Sequence, residues 1–296
     1  MIDRVVLPPA DVSVVIPTFR RREILVRAVG SVWEQTVRPR EVIVVDDDSG
    51  AGFDDVLASL GAGVRVVRLA RTRGPAGARN AGVEHARSTF VAFLDSDDSW
   101  QPDKLERQLS YLLDHPECDG VHTAVIVATG TDRRLATAAK PARLTLRHIL
   151  RQREVITSSL VIRRSTFLAS GGFDERIVSS EDYELSIRLV AAGANIDFLP
   201  EHLTTLRRDK HGHVSGDWHR VLHGQWQVAW KHRPLLIREF GMGGFVRKLI
   251  NDANHAACKS RSWPARALRV AAAPFTVKES GKRKPPPVDG DREREG

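Results

Sequence analysis

The 296-residue chain has a formal net charge of +8, with 42% hydrophobic and 28% charged residues. That balance fits a folded protein with a sizeable core and excludes a disordered chain. No apolar run of about eighteen residues exists to span a membrane. The two cysteines, Cys118 and Cys258, form no C-x-x-C pair, and Met1-Ile2-Asp3-Arg4-Val5 lacks the layout of a signal peptide, so a cytoplasmic location is expected.

Residues 12–17 read as a first strand, ended by Pro17, which cannot donate to a ladder. A helix is predicted over 21–35, where Ile24, Leu25, Ala28, Val29, Val32 and Trp33 recur at helical spacing. Strands follow at 41–45 and 64–69, with a weaker helix at 53–60 between them and a further helix at 76–87. The fourth strand, 89–94, is a short apolar run suited to burial on both faces. Pro102 opens a helix that runs to about residue 114. Strands alternating with helices through short loops predict an α/β fold with a mostly parallel sheet.

Beyond residue 120 the pattern loosens. Strands at 121–128 and 158–162 flank a basic helical stretch at 143–153. After a turn at Gly171-Gly172-Phe173-Asp174-Glu175, a helix over 181–192 is capped by Ser179 or Ser180 and stopped by Gly193. Strands at 195–199 and 202–207 and a helix at 216–233 complete the folded part. His219 and His223 have a zinc-compatible spacing, but no Glu follows the first of them, so they read as helix surface.

Two predicted strands run into acids, Asp46-Asp47-Asp48 and Asp95-Ser96-Asp97-Asp98. In a parallel sheet both clusters fall at the carboxyl edge, where open α/β sheets bind ligands. Buried unpaired carboxylates are costly, so the second cluster needs water, cations or a metal. Asp95-x-Asp97 suits a hard divalent cation that bridges phosphate oxygens. The loop between the clusters, 71–82, has glycines that admit a ligand to the backbone and arginines suited to phosphate, with Arg79 at a helix opening as the main candidate. It is neither a G-x-G-x-x-G fingerprint nor a P-loop. For Glu181 and Asp182, helix capping is the plain alternative to chemistry.

Five ordered motifs carry a resemblance: Val12-Ser13-Val14-Val15-Ile16-Pro17-Thr18-Phe19, Val42-Ile43-Val44-Val45-Asp46-Asp47-Asp48-Ser49, Gly74 with Ala78-Arg79-Asn80-Ala81-Gly82, Phe93-Leu94-Asp95-Ser96-Asp97-Asp98, and Glu181-Asp182-Tyr183-Glu184-Leu185. Over about residues 10–215 the chain resembles the family-two inverting glycosyltransferases. The resemblance implies a GT-A fold, in which a Rossmann-like nucleotide half joins an acceptor half. It implies a nucleotide-sugar donor, foremost a UDP-sugar, and transfer to a hydroxyl of a glycan, lipid-linked or small-molecule acceptor. Pro17, Thr18, Phe19, Asp47, Arg79, Asp95 and Ser96 would line the donor site, with Asp47 on the base, Arg79 near the base or phosphates and Asp95 on the ribose. Asp97 would hold Mn²⁺ or Mg²⁺, helped by His213 or His211. Asp182 would be the general base, with Glu181 and Trp100 toward the acceptor. Asp48 stands where the family usually has glycine, and Thr72 where asparagine is common. The Gln-x-x-Arg-Trp of processive synthases is missing, which favours single additions.

The alternative implied function is a nucleotide-sugar-binding protein without activity. Residues 216–277 are expected to form a helical basic extension, and 278–296, with Pro285-Pro286-Pro287, a disordered tail. The mix of apolar and basic residues over 241–275 suits ordinary packing of a helix onto the transferase domain or, as the alternative, peripheral contact with an anionic membrane at its inner face. No nucleic-acid partner is expected, because the basic segment lacks interleaved stacking aromatics.

Overall fold

The computed structural model describes residues 10–136, 140–208 and 217–258, without the side chains of Ala51 and Cys258. The elements in order are β1 (Ala10–Thr18), α1 (Arg22–Trp33), β2 (Pro39–Asp46), α2 (Asp54–Ser59), β3 (Val64–Arg68), α3 (Gly74–His85), β4 (Phe90–Phe93), β5 (Ser99–Trp100), α4 (Lys104–Asp114), β6 (Gly120–Thr129), β7 (Asp132–Ala136), α5 (Leu146–Arg151), β8 (Val161–Arg163), α6 (Arg164–Ala169), α7 (Glu181–Ala191), β9 (Ile196–Arg207), α8 (Trp218–Lys231) and α9 (Arg233–Cys258). One sheet runs β3-β2-β1-β4-β8-β6-β9-β5, with β7 paired to β6. The β3-β2-β1-β4 half is parallel throughout. The remainder is mixed: β8 is antiparallel to β4 and β6, while β6 and β9 are parallel.

Strand alternation splits the apolar residues between two cores. Val12, Val14, Ile16, Val42, Val44, Ala92 and Leu94 face one layer with α1, α2 and α4. Val15, Ile43, Val45, Val91 and Phe93 face the other with α3, α5 and α7. α8 and α9 add Val228, Ala229, Leu236 and Phe245 to this second core. Both faces of the central strands are thus covered, which is why they read as continuous apolar runs. α3 lies very close to β1, because a Cβ on Gly82 would come within 2.3 Å of Val15 Cγ1. No described helix is long and apolar enough to cross a membrane.

The structure corrects several expectations. β1 continues through Pro17, paired with Val45, to Thr18. Its neighbour β4 pairs no further than Val15 with Phe93, so no ladder partner is lost for want of the Pro17 N–H. The two strands predicted at 195–207 are one, β9, and Pro200 and Glu201 lie at a register shift between Leu199 and His202. The basic helix is only the six residues of α5. β5, β7 and α6 were not anticipated, being too short to show a period. The predicted tail, and the part of the basic extension beyond residue 258, lie outside the described residues.

Candidate active site

The chain runs β1, β2, β3 to one side and then returns to place β4 on the other side of β1. This reversal makes a switch-point crevice at the carboxyl ends of β1 and β4. Thr18 ends β1 there, and its buried hydroxyl has no hydrogen-bond partner among the described residues. Pro17 is buried beside it, while Phe19 is 42% exposed, with the Arg20 guanidinium 4.9 Å from its ring centre.

Asp47 follows β2, and its Oδ1 and Oδ2 accept from the backbone amides of Arg73 (2.7 Å) and Gly74 (2.9 Å). It thereby clasps the N-terminal end of α3, a structural task the sequence did not reveal. Burial pushes its carboxyl up, against those two amides. Asp48 adopts φ of 64°, the left-handed region that glycine occupies without strain. That accounts for the family's usual residue at this position.

Asp95, Asp97 and Asp98 each offer an oxygen within 4.8 Å of the others. Asp95 Oδ1 accepts from Arg79 (2.5 Å), and Asp97 Oδ2 accepts from Arg21 (2.7 Å). Asp98 is buried, with Oδ2 accepting from Ser158 Oγ (2.6 Å) and Oδ1 from the Arg207 amide (3.2 Å). Burial, with Asp95 and Asp97 alongside, pushes Asp98 well above the usual carboxylate range. Burial also raises Asp95, although Arg79 opposes it.

Arg79 is 3% exposed and is no open phosphate ligand. It bridges Asp95 to Glu181, with Nη1 donating to Glu181 Oε1 at 2.8 Å. Burial alone would lower its pKa, but these two carboxylates outweigh that and raise it. Glu181 opens α7, and Asp182 follows it in the first turn, where the helix dipole favours negative charge. Asp182 Oδ1 accepts from the Tyr183 amide at 2.7 Å. Burial first, then the neighbouring Glu181, raises Asp182 to about 6, with Arg153 and Arg79 pulling the other way.

The predicted capping by serine is not seen. Ser180 has φ of 75° and makes no side-chain cap; its Oγ accepts instead from Arg153 Nη2 at 2.8 Å. Trp100 is 4% exposed, so it is not an acceptor surface. Its indole N–H donates to the Ser158 carbonyl at 2.8 Å, and Lys104 Nζ lies 4.1 Å from its ring centre. Ser96 is buried. His211 and His213 lie outside the described residues.

Sequence reading missed Ser158 and Arg21. Ser158 Oγ accepts from the Asp95 amide (3.1 Å) while donating to Asp98, so one hydroxyl orders two of the three acids. Nothing local marks it, because Ser158 between Thr157 and Ser159 is one of three alike hydroxyl residues. Arg21 sits immediately before α1, 76 residues from its partner Asp97.

The three-acid set fits a hard divalent cation by its chemistry, since all the offered donors are carboxylate oxygens. Arg21 and Arg79 already pair with Asp97 and Asp95, and a bound cation would favour the ionised form of the raised Asp95 and Asp98 carboxyls.

The sequence pattern described as glycosyl transferase family 2 matches residues 13–168, more than half of the chain. The chain belongs to glycosyl transferase family 2. A further pattern, glycosyltransferase like family 2, matches residues 145–219. The chain is 32% identical over 208 residues to the succinoglycan biosynthesis protein ExoO of Rhizobium meliloti, covering 63% of this chain and 59% of ExoO. It is 36% identical over 103 residues to the UDP-Glc:alpha-D-GlcNAc-diphosphoundecaprenol beta-1,3-glucosyltransferase WfgD of Escherichia coli, covering 34% of this chain and 41% of WfgD. The chain thus spans about half the length of these curated relatives. Among solved structures, the mannosyltransferase PcManGT of Pyrobaculum calidifontis, in complex with GDP-Man and Mn²⁺, superposes with a TM-score of 0.63 at 20% identity, covering 90% of this chain and 81% of PcManGT. The family-2 chain has the GT-A fold expected for it.

Proposed function

We propose that this family-2 chain is an inverting glycosyltransferase that moves a sugar from a nucleotide-sugar donor to an acceptor hydroxyl. The observation that carries the reading is the placement of the Asp95, Asp97 and Asp98 oxygens, within 4.8 Å of one another, at the crevice where β1 and β4 diverge. The Arg79 bridge links that cluster to the start of α7 and so to Asp182. Asp97, with Asp95 and Asp98, would hold Mn²⁺ or Mg²⁺, whose charge would stabilise the leaving nucleoside diphosphate.

The protein's own residues do the rest. The Thr18 hydroxyl, buried and without a hydrogen-bond partner among the described residues, would hydrogen-bond the donor. Phe19 and Asp95 would offer the accessible part of the donor site, with Pro17, Asp47 and Ser96 buried behind it at the same sheet edge. Asp182, with a carboxyl raised to about 6, is ionised at neutral pH yet basic enough to take the acceptor proton. A single displacement from the face opposite the leaving group inverts the anomeric centre and needs no enzyme nucleophile, unlike retaining glycosidases.

A UDP-sugar is the first donor to test, and WfgD's name supports it. The GDP-Man in PcManGT's title keeps GDP-sugars in the panel. The names of ExoO and WfgD support a glycan or lipid-linked acceptor of the cell envelope or an exopolysaccharide. The proposed setting is the cytoplasm, at the inner face of a membrane when the acceptor is lipid-linked.

The test is donor binding and slow donor hydrolysis across UDP-, TDP- and GDP-sugars with Mn²⁺, in wild type and Asp97→Asn. One donor bound and hydrolysed, with metal-dependent loss in the variant, is the expected result. Absence of any nucleotide-sugar binding in wild type refutes the reading.

A further inference from the structure

The outward face of α8 is a single stripe. His219, His223, Trp226 and Trp230 are all exposed and recur at the three- and four-residue steps of one helix face. Trp226 is 47% and Trp230 59% exposed. On α9, Met242 and Val246 are also largely exposed, one turn apart. Trp230 meets the buried Phe245 of α9 at a ring distance of 5.7 Å, and Phe245 stands in the same helical turn as Met242 and Val246. Isolated exposed apolar residues are ordinary, but two tryptophans, a methionine and a valine on one ridge are not.

Three cations of α8 and α9 are spent on acids, Lys231 on Asp174 and Glu184, Arg238 on Glu239 and Lys248 on Asp252. The other three, Arg220, Arg233 and Arg247, are exposed. The Arg233 guanidinium lies 5.7 Å from the Trp230 ring centre, a cation at the ridge itself. Residues 259–284, which follow α9 directly, hold eight basic residues and one acid in their sequence. Tryptophan prefers the boundary between headgroups and acyl chains, because its ring is apolar and its N–H polar. Basic residues nearby are drawn to anionic headgroups.

We infer that the Trp226–Trp230–Met242–Val246 ridge seats this protein on an anionic lipid bilayer, the tryptophans entering the interface and the arginines meeting the headgroups. This extends the contact expected over 241–275 back to α8 and narrows its part in α9 to Met242 and Val246. Of that segment's described apolar residues, Phe245 is buried in the core and Leu249 packs against it. The inference rests on the proposed transferase reading only for its purpose, which is delivery to a lipid-linked acceptor.

The test uses the full chain and vesicles of phosphatidylcholine, pure or with about one-third phosphatidylglycerol. Co-sedimentation is read in wild type and in the Trp226→Gln/Trp230→Gln double variant, with circular dichroism melting as the folding control. The expected result is wild-type binding that requires phosphatidylglycerol and weakens about tenfold or more in the double variant at unchanged melting. Single-tryptophan variants should show a blue-shifted emission from Trp226 and Trp230 with the anionic vesicles. Three outcomes overturn the inference: no wild-type binding, equal binding by both proteins (the basic sequence beyond residue 258 acting alone), or a wild-type dimer that the double variant dissolves without any vesicle binding. Donor hydrolysis on the same samples keeps the two readings apart. A protein that hydrolyses donor but ignores vesicles refutes only the ridge; one that binds vesicles but no nucleotide sugar refutes only the transferase.

Discussion

Two acidic regions of this protein bury their carboxylates with opposite results. In the knot between α7 and α8, Asp174 accepts from Arg176 (2.9 Å) and Lys231 (2.7 Å), and Glu184 from Arg188, Lys231 and His232. Hydrogen bonding from Arg176 holds Asp174 well below the usual range. Burial alone would raise Glu184, but hydrogen bonds from His232, Arg188 and Lys231 pull it down to about 2. In the cleft, burial wins: Asp95, Asp98 and Asp182 are all raised. Two acids of one helix turn, Asp182 and Glu184, therefore do different work. Glu184 is a satisfied anchor between helices, whereas Asp182 is kept under-satisfied, as a base requires.

The largest expected effect comes from Asp182→Asn. Transfer should fall about 10²–10⁴-fold with donor affinity kept. Because the folded state raises this carboxyl from 3.8 to about 6, the folded form prefers it protonated. That contribution to stability is present at low pH and is lost as pH rises through about 6. The asparagine variant should therefore unfold at a higher denaturant concentration than wild type at pH 7. Near-normal transfer in the variant would remove Asp182 as the base.

Glu184→Ala should do the reverse and lower stability by about 2–3 kcal/mol, since it removes the buried carboxylate shared by the half-buried Arg188 and the more exposed Lys231. The check is urea unfolding, with donor affinity of the folded fraction unchanged. Loss of transfer at unchanged stability would erase the contrast between the two acids. In wild type, the stability from Glu184 holds at pH above 4.5 and disappears only as pH falls through about 2.

The pH profile is a smaller effect on the same contrast. Below about pH 6, where Asp182 becomes protonated, the transfer rate under donor saturation should drop about tenfold per pH unit. A flat profile down to pH 5 would assign the proton transfer elsewhere. Smallest is Asp48→Gly. It relieves a positive φ and should stabilise by up to about 1 kcal/mol, seen as a shift in thermal midpoint. A destabilised variant would mean that the Asp48 side chain holds the loop in place.

How far the site could be read in advance follows from the range of each contact. The four parallel strands were visible because covered strands are apolar throughout, and their acidic ends identified the working edge. Asp47 as a clasp, Arg79 as a bridge and Ser158 as an organiser were not visible. Arg79 reaches Glu181 across 102 residues of sequence, and Ser158 reaches Asp98 across 60. No local pattern encodes which buried cation will meet which acid. Trp100, expected toward the acceptor, differs for the same reason: β5 pairs with β9, and Trp100 is buried in the core with α1 and α4.

The sequence by itself determined the alternation of strands and helices, the two cores and the residue types at the strand ends. Those depend on periodicity and side-chain chemistry, which are local. Only the tertiary structure decided which carboxylates are paired and which are left raised. Burial and distant partners set an acid's pKa, and both exist only once the sheet has brought β4, α3 and α7 together.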